Sequence, residues 1–226
     1  MNSFNVIITG ATGMVGEGVL HECLQRADID NVLVIGRSPC GYTHPKLSEI
    51  LHSDLGDISS MSAQVTGYQA CYFCLGTTAA GKSEAQYTAA THTLTLGFAS
   101  TLAVLNPEMT FCYITGAGAD SSEQGRIMWA RVKGRVENDL IKLPFKAAYN
   151  FRPSGLEPFL PLKPTQTYYT LYKYTRWLLP LIKRIAPNSM VPLQDLAAAM
   201  IQVSMTGYSK NAIEVSDIKL LAQVLR

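Results

Sequence analysis

The sequence has no apolar run of roughly eighteen residues, so no segment is expected to cross a membrane as a helix. It also lacks a strong charge of either sign. Nineteen basic against seventeen acidic residues leave a net charge of +2, too little to argue for a nucleic-acid partner. The opening Met1-Asn2-Ser3-Phe4 carries no basic stretch and leads directly into a strand-like run, so no signal peptide is expected. Five cysteines, an odd number without framework spacing, fit a reducing cytoplasm and not a disulfide scaffold. There is no short repeat, no low-complexity tract, no Ser-His-Asp order and no metal-ligand cluster. What remains is a rather apolar chain of 226 residues, 47% hydrophobic and 16% charged. That suits one domain, or one domain with an appendage, and is ample for a real core.

The chain is organised around one glycine-rich turn. Asn5-Val6-Ile7-Ile8-Thr9 is an apolar, β-branched run that ends in Gly10-Ala11-Thr12-Gly13-Met14-Val15-Gly16. The glycines, spaced G-x-x-G-x-x-G, open a helix-like stretch from Val15 to Ala27. A strand, a tight turn without side chains and a helix amino terminus together make a cradle for a diphosphate. The plain alternative is a connecting turn, since three glycines at this spacing are a weak signal alone.

Alternation then gives the fold class. Strands are expected at Asn31–Gly36, Leu47–His52, Gln69–Leu75, Thr110–Thr115 and Lys146–Phe151. Helices are expected at about Ser83–Leu105, stopped by Asn106-Pro107, and at Ser122–Ile141, stopped before Pro144. Strand and helix in alternation mean an α/β fold with a doubly wound parallel sheet. Residues 1–155 read as the nucleotide-binding core. Residues 156–226 break the rhythm and read as a carboxy-terminal cap with terminal helices, the last at Leu196–Met205 with Asp195 as its cap.

Doubly wound sheets bind ligands at the carboxyl ends of their strands. After the second strand comes Arg37-Ser38, where an NAD-preferring site would place Asp or Glu. A guanidinium and a hydroxyl there suit a 2′-phosphate, so NADP(H) is expected in preference to NAD(H). After the third strand, Asp54 and the Leu55 N–H suit adenine, while Asp57 is the better candidate for a helix cap. Gly76-Thr77-Thr78 closes the fourth strand, where a dinucleotide would cross. Cys71 and Cys74 form a C-x-x-C pair, but strand residues three apart point to opposite faces, so both are expected in the core.

Gly10 to Gly16, Gly36-Arg37, Cys74-Leu75-Gly76-Thr77-Thr78 and Phe151-Arg152-Pro153-Ser154-Gly155 together resemble the atypical short-chain dehydrogenase/reductases. The nearest branch is the Tat-interacting-protein-like oxidoreductases, beside the NAD-dependent epimerase/dehydratases, and the resemblance runs over about residues 4 to 222. It implies a Rossmann core, a small carboxy-terminal region over the nicotinamide, and NADPH. It also implies that Pro153, Ser154 and Gly155 lie beside the nicotinamide carboxamide.

The catalytic centre departs from that family. The family uses Ser after the fifth strand and Y-x-x-x-K on the next helix, which puts Tyr and Lys one turn apart on one face. Here the pair reads Trp129 and Lys133. The lysine that would hold the ribose is present and the proton donor is not. Thr115 occupies the serine region and can orient an oxygen. Lys133 has a plainer alternative, an exposed bridge to Glu137. Tyr87, Tyr113, Tyr168, Tyr169, Tyr172 and Tyr174 are candidates for a replacement acid, while Glu157 and the four histidines stay unplaced.

Three functions follow from this reading. The first is an NADP-dependent oxidoreductase or epimerase-like enzyme acting on a small carbonyl or alcohol, its substrate unidentified. The second is an inactive NADP(H)-occupied module that regulates a protein partner. The third, resting on a basic aromatic face at Thr167–Ile185, is a membrane-surface or partner contact. Apolar residues around Leu94–Leu102 and Met128–Leu140 serve either a homodimer or packing on the sheet.

Overall fold

The computed structural model describes residues 4–158 and 190–224. Val6, Ile7 and Ile8 of β1 (Asn5–Thr9) are fully buried, although they point to alternate faces. Such a strand is covered on both sides, which is the condition of a parallel sheet. Beside it run β2 (Asn31–Gly36), β3 (Leu47–Leu51), β4 (Ala70–Phe73), β5 (Thr110–Ile114) and β6 (Ala147–Phe151). A final short strand, β9 (Ala212–Ile213), completes seven in the order β3-β2-β1-β4-β5-β6-β9, all parallel. The expected α/β doubly wound fold is borne out.

Each sheet face has its own core. On one side Ile8, Tyr72 and Cys112 meet α1 (Met14–Gln25), α5 (Leu193–Thr206) and α6 (Val215–Val224) through Leu20, Met200 and Ile218. On the other, Ile7, Phe73 and Phe111 meet α3 (Leu94–Leu105) and α4 (Met128–Leu140) through Phe98, Leu102, Val136 and Leu140. Cys71 belongs to the second core and Cys74 packs against the first, so the C-x-x-C thiols lie on opposite faces as expected. All five cysteines are free.

The helix expected from Ser83 to Leu105 is there with an interruption. Ser83 and Gln86 form a reciprocal cap on α2 (Glu84–Thr88), and one π turn, Ala89–Thr93, joins it to α3. Asn106 ends α3, its side chain donating to Val65 O and Leu102 O and accepting from the Gly67 N–H.

Two helix starts need correction. The helix expected at Ser122 begins only at Met128. Asp120 accepts from the Ser122 and Gly125 N–H groups, and Glu123 adopts φ +61°, so residues 120–125 form a side-chain-closed loop. Asp195 does not cap the last predicted helix. That helix starts at Leu193 with Pro192 before it, and Asp195 lies in the first turn, where a carboxylate suits the positive end.

The carboxy-terminal region adds to the core sheet as well as standing beside it. A separate parallel pair joins β7 (Gly155–Glu157) to β8 (Met190–Pro192), and β9 pairs with β6 through Asn150–Ala212 and Phe151–Ile213. Among the described residues no helix is long and apolar enough to cross a membrane. The Thr167–Ile185 face, with Tyr168, Tyr169, Tyr172 and Tyr174, lies outside the described residues.

Candidate dinucleotide site

Register brings the strand ends together. Thr9 pairs with Ile35 on one side and Phe73 on the other, so Gly10 emerges between Gly36 and Cys74. Phe73 pairs with Tyr113 and Ile114 with Phe151, which continues the row to Thr115 and Arg152. The chain leaves β1 for β2 on one side and reaches β4 on the other. That reversal between β1 and β4 opens the crevice typical of doubly wound sheets, and the glycine turn stands at it.

Each glycine of the turn has a separate cause. Gly10 has φ +71°, and a Cβ there would stand 2.7 Å from Cys74 O. Its carbonyl accepts from the Gly13 N–H at 2.9 Å, closing the turn, and Gly13 O accepts from the Glu17 N–H at 2.8 Å, starting α1. A Cβ on Gly16 would overlap the Gly10 carbonyl, so the first turn of α1 can sit on the β1 end only as glycine. Gly13 is different: its φ is −88°, and a Cβ would meet only Gly10 O, at 3.3 Å. Packing therefore accounts for Gly10 and Gly16 but much less for Gly13. Thr12 and Gly13 are exposed, Met14 and Val15 half-buried, at the amino end of α1. Their placement fits a diphosphate held by backbone N–H groups.

Arg37 and Ser38 are both exposed, directly after Gly36 at the end of β2. Asp54 is exposed and accepts from the Gly56 N–H at 2.9 Å. Asp57 accepts from the Ser59 N–H at 2.9 Å, but the residue that caps the short 3-10 turn Ser59–Met61 is Ile58, so Asp57 stands one position before the cap expected of it. Leu55 buries its side chain in the core, leaving only its backbone for a ligand. Gly76, Thr77 and Thr78 are exposed beyond β4, and no atom lies within 4 Å of a Cβ built on Gly76.

At the other end, the Ala117 N–H donates to Pro153 O at 2.9 Å, joining the loops after β5 and β6. Ser154 is exposed and Gly155 half-buried at the start of β7. Thr115 is buried, and its hydroxyl donates to Phe151 O at 3.0 Å, so its proton is engaged inside the fold. Trp129 stands near this loop, its ring 3.6 Å from a Cβ built on Gly118. One turn on, the Lys133 ammonium donates to Thr115 O and Ile114 O. Burial lowers its pKa to about 8, with the Glu137 charge opposing that fall. The exposed Lys133–Glu137 bridge does not form, because Glu137 turns inward to Arg152.

Arg152 is the organising residue that the sequence reading did not place. It donates through Nε to Glu137 Oε1 at 3.0 Å, through Nη2 to Glu137 Oε2 and Ser121 Oγ, and through Nη1 to Glu214 at 3.2 Å. One guanidinium thus ties the end of β6 to α4, to the Asp120 loop and to the residue before α6. Gly134 is the second unplaced residue. Its Cβ would overlap Asp120 O, so α4 packs directly on the backbone of that loop.

Of the tyrosines considered as a replacement acid, the two among the described residues are not at the surface. Tyr87 and Tyr113 are buried among core residues, where burial raises both phenols. Three histidines have local partners: His44 with the Lys46 N–H, His52 with Asp57 O and His92 with Asp139. Glu157 is half-buried in β7. Among the described residues no group of three or more His, Cys, Asp or Glu is placed to hold a metal ion.

Residues 6–112 match the NAD dependent epimerase/dehydratase family. That stretch runs from β1 through the glycine turn to the middle of β5, and with the fold it bears out the resemblance read from the motifs. Among curated relatives, the protein named FMP52, mitochondrial, of Candida glabrata is 28% identical over 158 residues, 69% of this chain and 65% of that protein. The protein of the same name from Saccharomyces cerevisiae is 29% identical over 155 residues, 67% of this chain and 65% of that one. The match therefore spans just under two thirds of either relative. Of solved structures, the Bordetella bronchiseptica enzyme WbmG in complex with NAD has a TM-score of 0.67 at 12% identity, covering 99% of this chain and 79% of its own. A UDP-N-acetylglucosamine 4-epimerase from Methanobrevibacter ruminantium has a TM-score of 0.64 at 13% identity, covering 94% and 76%. At such identities the likeness extends to the fold.

Proposed function

We propose that the chain binds NADP(H) and transfers hydride between the nicotinamide and a small carbonyl or alcohol, as an oxidoreductase or epimerase-like enzyme with an altered centre. The observation that carries this reading is Gly13, exposed in the turn at the sheet's reversal, where packing alone asks little for a glycine. The solved structures of the same fold support the binding of a nicotinamide dinucleotide, WbmG being described in complex with NAD. In this reading Gly10, Thr12, Gly13, Met14, Val15 and Gly16 hold the diphosphate, Asp54 and Leu55 face adenine, and Arg37 and Ser38 take the 2′-phosphate. Gly76, Thr77 and Thr78 line the middle of the dinucleotide. Pro153, Ser154 and Gly155 stand at the carboxamide, while Lys133 holds the ribose by hydrogen bonds.

The nicotinamide supplies or accepts the hydride. Thr115 orients the substrate oxygen only as an acceptor while its proton stays with Phe151 O. The indole of Trp129, packed near Gly118, has no proton acidic enough to transfer. On this reading the substrate side is built from the carboxy-terminal region, of which residues 156–158 and 190–224 are described.

Cofactor choice gives a direct test. Arg37→Asp is expected to weaken NADPH at least tenfold by calorimetry, through loss of one charge-assisted bond and gain of a repulsion, and to spare or improve NADH. Equal loss for both would remove the phosphate role from Arg37. No saturable NADPH binding by the unaltered protein would end the reading.

The geometry favours a second reading, an NADP(H)-occupied module that regulates a partner without turnover. Trp129 replaces the acid, the Thr115 proton is engaged, and Tyr87 and Tyr113 are buried. A scan for NADPH oxidation across carbonyl compounds separates the two, and Trp129→Tyr sharpens it. Activity gained only in that variant says that the acid alone is missing and favours the module. Turnover by the unaltered protein favours the enzyme.

Phe98, Leu102, Val136 and Leu140 are used against the sheet, so a homodimer is proposed instead on the exposed Val104 of α3 and on Ile127 and Ile141 at the two ends of α4; light scattering giving one chain's mass would dismiss it. The cysteine reading favours the cytoplasm, while both relatives are named mitochondrial. Fractionation of the tagged chain decides between these compartments.

A further inference from the structure

A buried carboxylate sits where the proposed diphosphate cradle has least use for one. Glu17, in the first turn of α1, is 4% exposed and directly follows Gly16 of the cradle. Its Oε1 accepts from the Tyr42 hydroxyl at 2.9 Å. Tyr42 belongs to the loop between β2 and β3, which begins with Arg37 and Ser38. This hydrogen bond joins the first turn of the helix behind the glycine turn to the loop that carries the specificity residues.

The rest of that loop shows what the bond adds. Gly36 is fixed by β3, its carbonyl accepting from the His52 N–H at 2.9 Å. Cys40 is buried, and its N–H donates to Glu49 Oε1 of β3 at 2.7 Å. Gly41, at φ +80°, then turns the chain back so that Tyr42 reaches α1. Further on, Lys46 Nζ donates to Arg26 O at the end of α1, at 2.5 Å. Arg37, Ser38 and Pro39 form an exposed arc between fixed ends. Cys40 holds the arc to the sheet edge, and Tyr42 holds it to α1.

We infer that the Tyr42–Glu17 hydrogen bond is a positioning latch that sets the selectivity of this chain for NADPH over NADH. The inference rests on the NADP(H) reading above. Tyr42 itself touches no cofactor and acts by holding the Arg37-Ser38 arc at a fixed distance from the cradle. A long guanidinium gains most from a pre-organised loop, since the freedom it loses on binding is then smaller. NADH, which has no 2′-phosphate, draws little from that order. The phenol keeps its proton to donate: burial and then the Glu17 carboxylate push its pKa up to about 12.

The test measures NADPH and NADH dissociation constants by calorimetry for the unaltered chain, Tyr42→Phe and Glu17→Gln. Tyr42→Phe is expected to weaken NADPH about fivefold, the scale of one net hydrogen bond, and NADH less than twofold. Glu17→Gln keeps an acceptor for Tyr42 and is expected to keep the selectivity. Hydrogen exchange without cofactor supplies a second readout. Tyr42→Phe should speed exchange at residues 38–43 while the amides of β1 and β4 stay protected. Equal weakening of both cofactors, or unchanged selectivity with faster loop exchange, overturns the latch. An unaltered chain without preference for NADPH overturns the underlying reading and the latch with it.

Discussion

Glu137→Ala is expected to lower the free energy of unfolding by about 3–5 kcal/mol, because deleting one partner of a buried ion pair strands the other charge. Glu137 is 3% exposed and takes two bonds from the Arg152 guanidinium. Glu214 and Ser121 stay as partners, but the Glu214 side chain is half exposed and Ser121 is neutral. The planar fork of Arg152 therefore loses its one fully desolvated counter-charge. Urea denaturation reads the loss, and Glu137→Ala with Arg152→Met should cost less than the two single losses added. A loss under about 1 kcal/mol for Glu137→Ala would mean that the exposed Glu214 alone holds the guanidinium. The expected consequence reaches the site, because Arg152 fixes the loop after β6, whose Pro153 carbonyl binds the loop after β5.

The sheet was legible because its signals are local. Buried parallel strands read as unbroken apolar runs, and Asn31–Gly36 comes out with the bounds its residues suggest. Thr9-Gly10 and Asn106-Pro107 punctuate cleanly, since a glycine turn and a proline stop act within a few residues. Long-range pairings were not legible. Ser122 to Ile127 has helix-compatible composition, but the two oxygens of Asp120 take backbone donors two and five residues on and hold the chain out of helix. The short β9, Ala212–Ile213, exists only because β6 offers its edge. Gly134 carried a usable signal: a glycine inside a helical pattern implies close approach of another backbone. The Asp120 loop supplies it.

The site divides in the same way. Motif order brought out the strand-end residues, and register does line them along one edge of the sheet. Spacing on α4 placed Trp129 and Lys133 on one flank, where Lys133 reaches the β5 end. Spacing also allowed Lys133 to pair with Glu137. It could not exclude that pair, because Arg152, fifteen residues beyond Glu137, claims the carboxylate through the tertiary fold. The Tyr42–Glu17 bond is hidden for the same reason, its partners being twenty-five residues apart.

The glycine turn yields the contrast that separates a ligand cradle from a plain connection. Gly13→Ala is expected to leave the thermal midpoint nearly unchanged and to weaken NADPH binding at least tenfold, the scale of one strong charge-assisted contact. At φ −88° alanine is unstrained, and its Cβ meets only Gly10 O at 3.3 Å, a contact that a few tenths of an ångström relieve. The added methyl enters the space that a diphosphate would occupy before α1. Gly16→Ala should do both kinds of damage. Its Cβ would overlap the Gly10 carbonyl, so α1 must lift from the end of β1, at about 1–3 kcal/mol or more for an overpacked contact. Moving α1 also moves the N–H groups of Met14 and Val15, and NADPH binding falls with stability. A plain turn predicts the opposite for Gly13: stability and binding are both untouched, because nothing approaches it. Calorimetry and thermal denaturation on these two variants decide between the cases, since only a bound anion makes Gly13 matter while the fold stays intact.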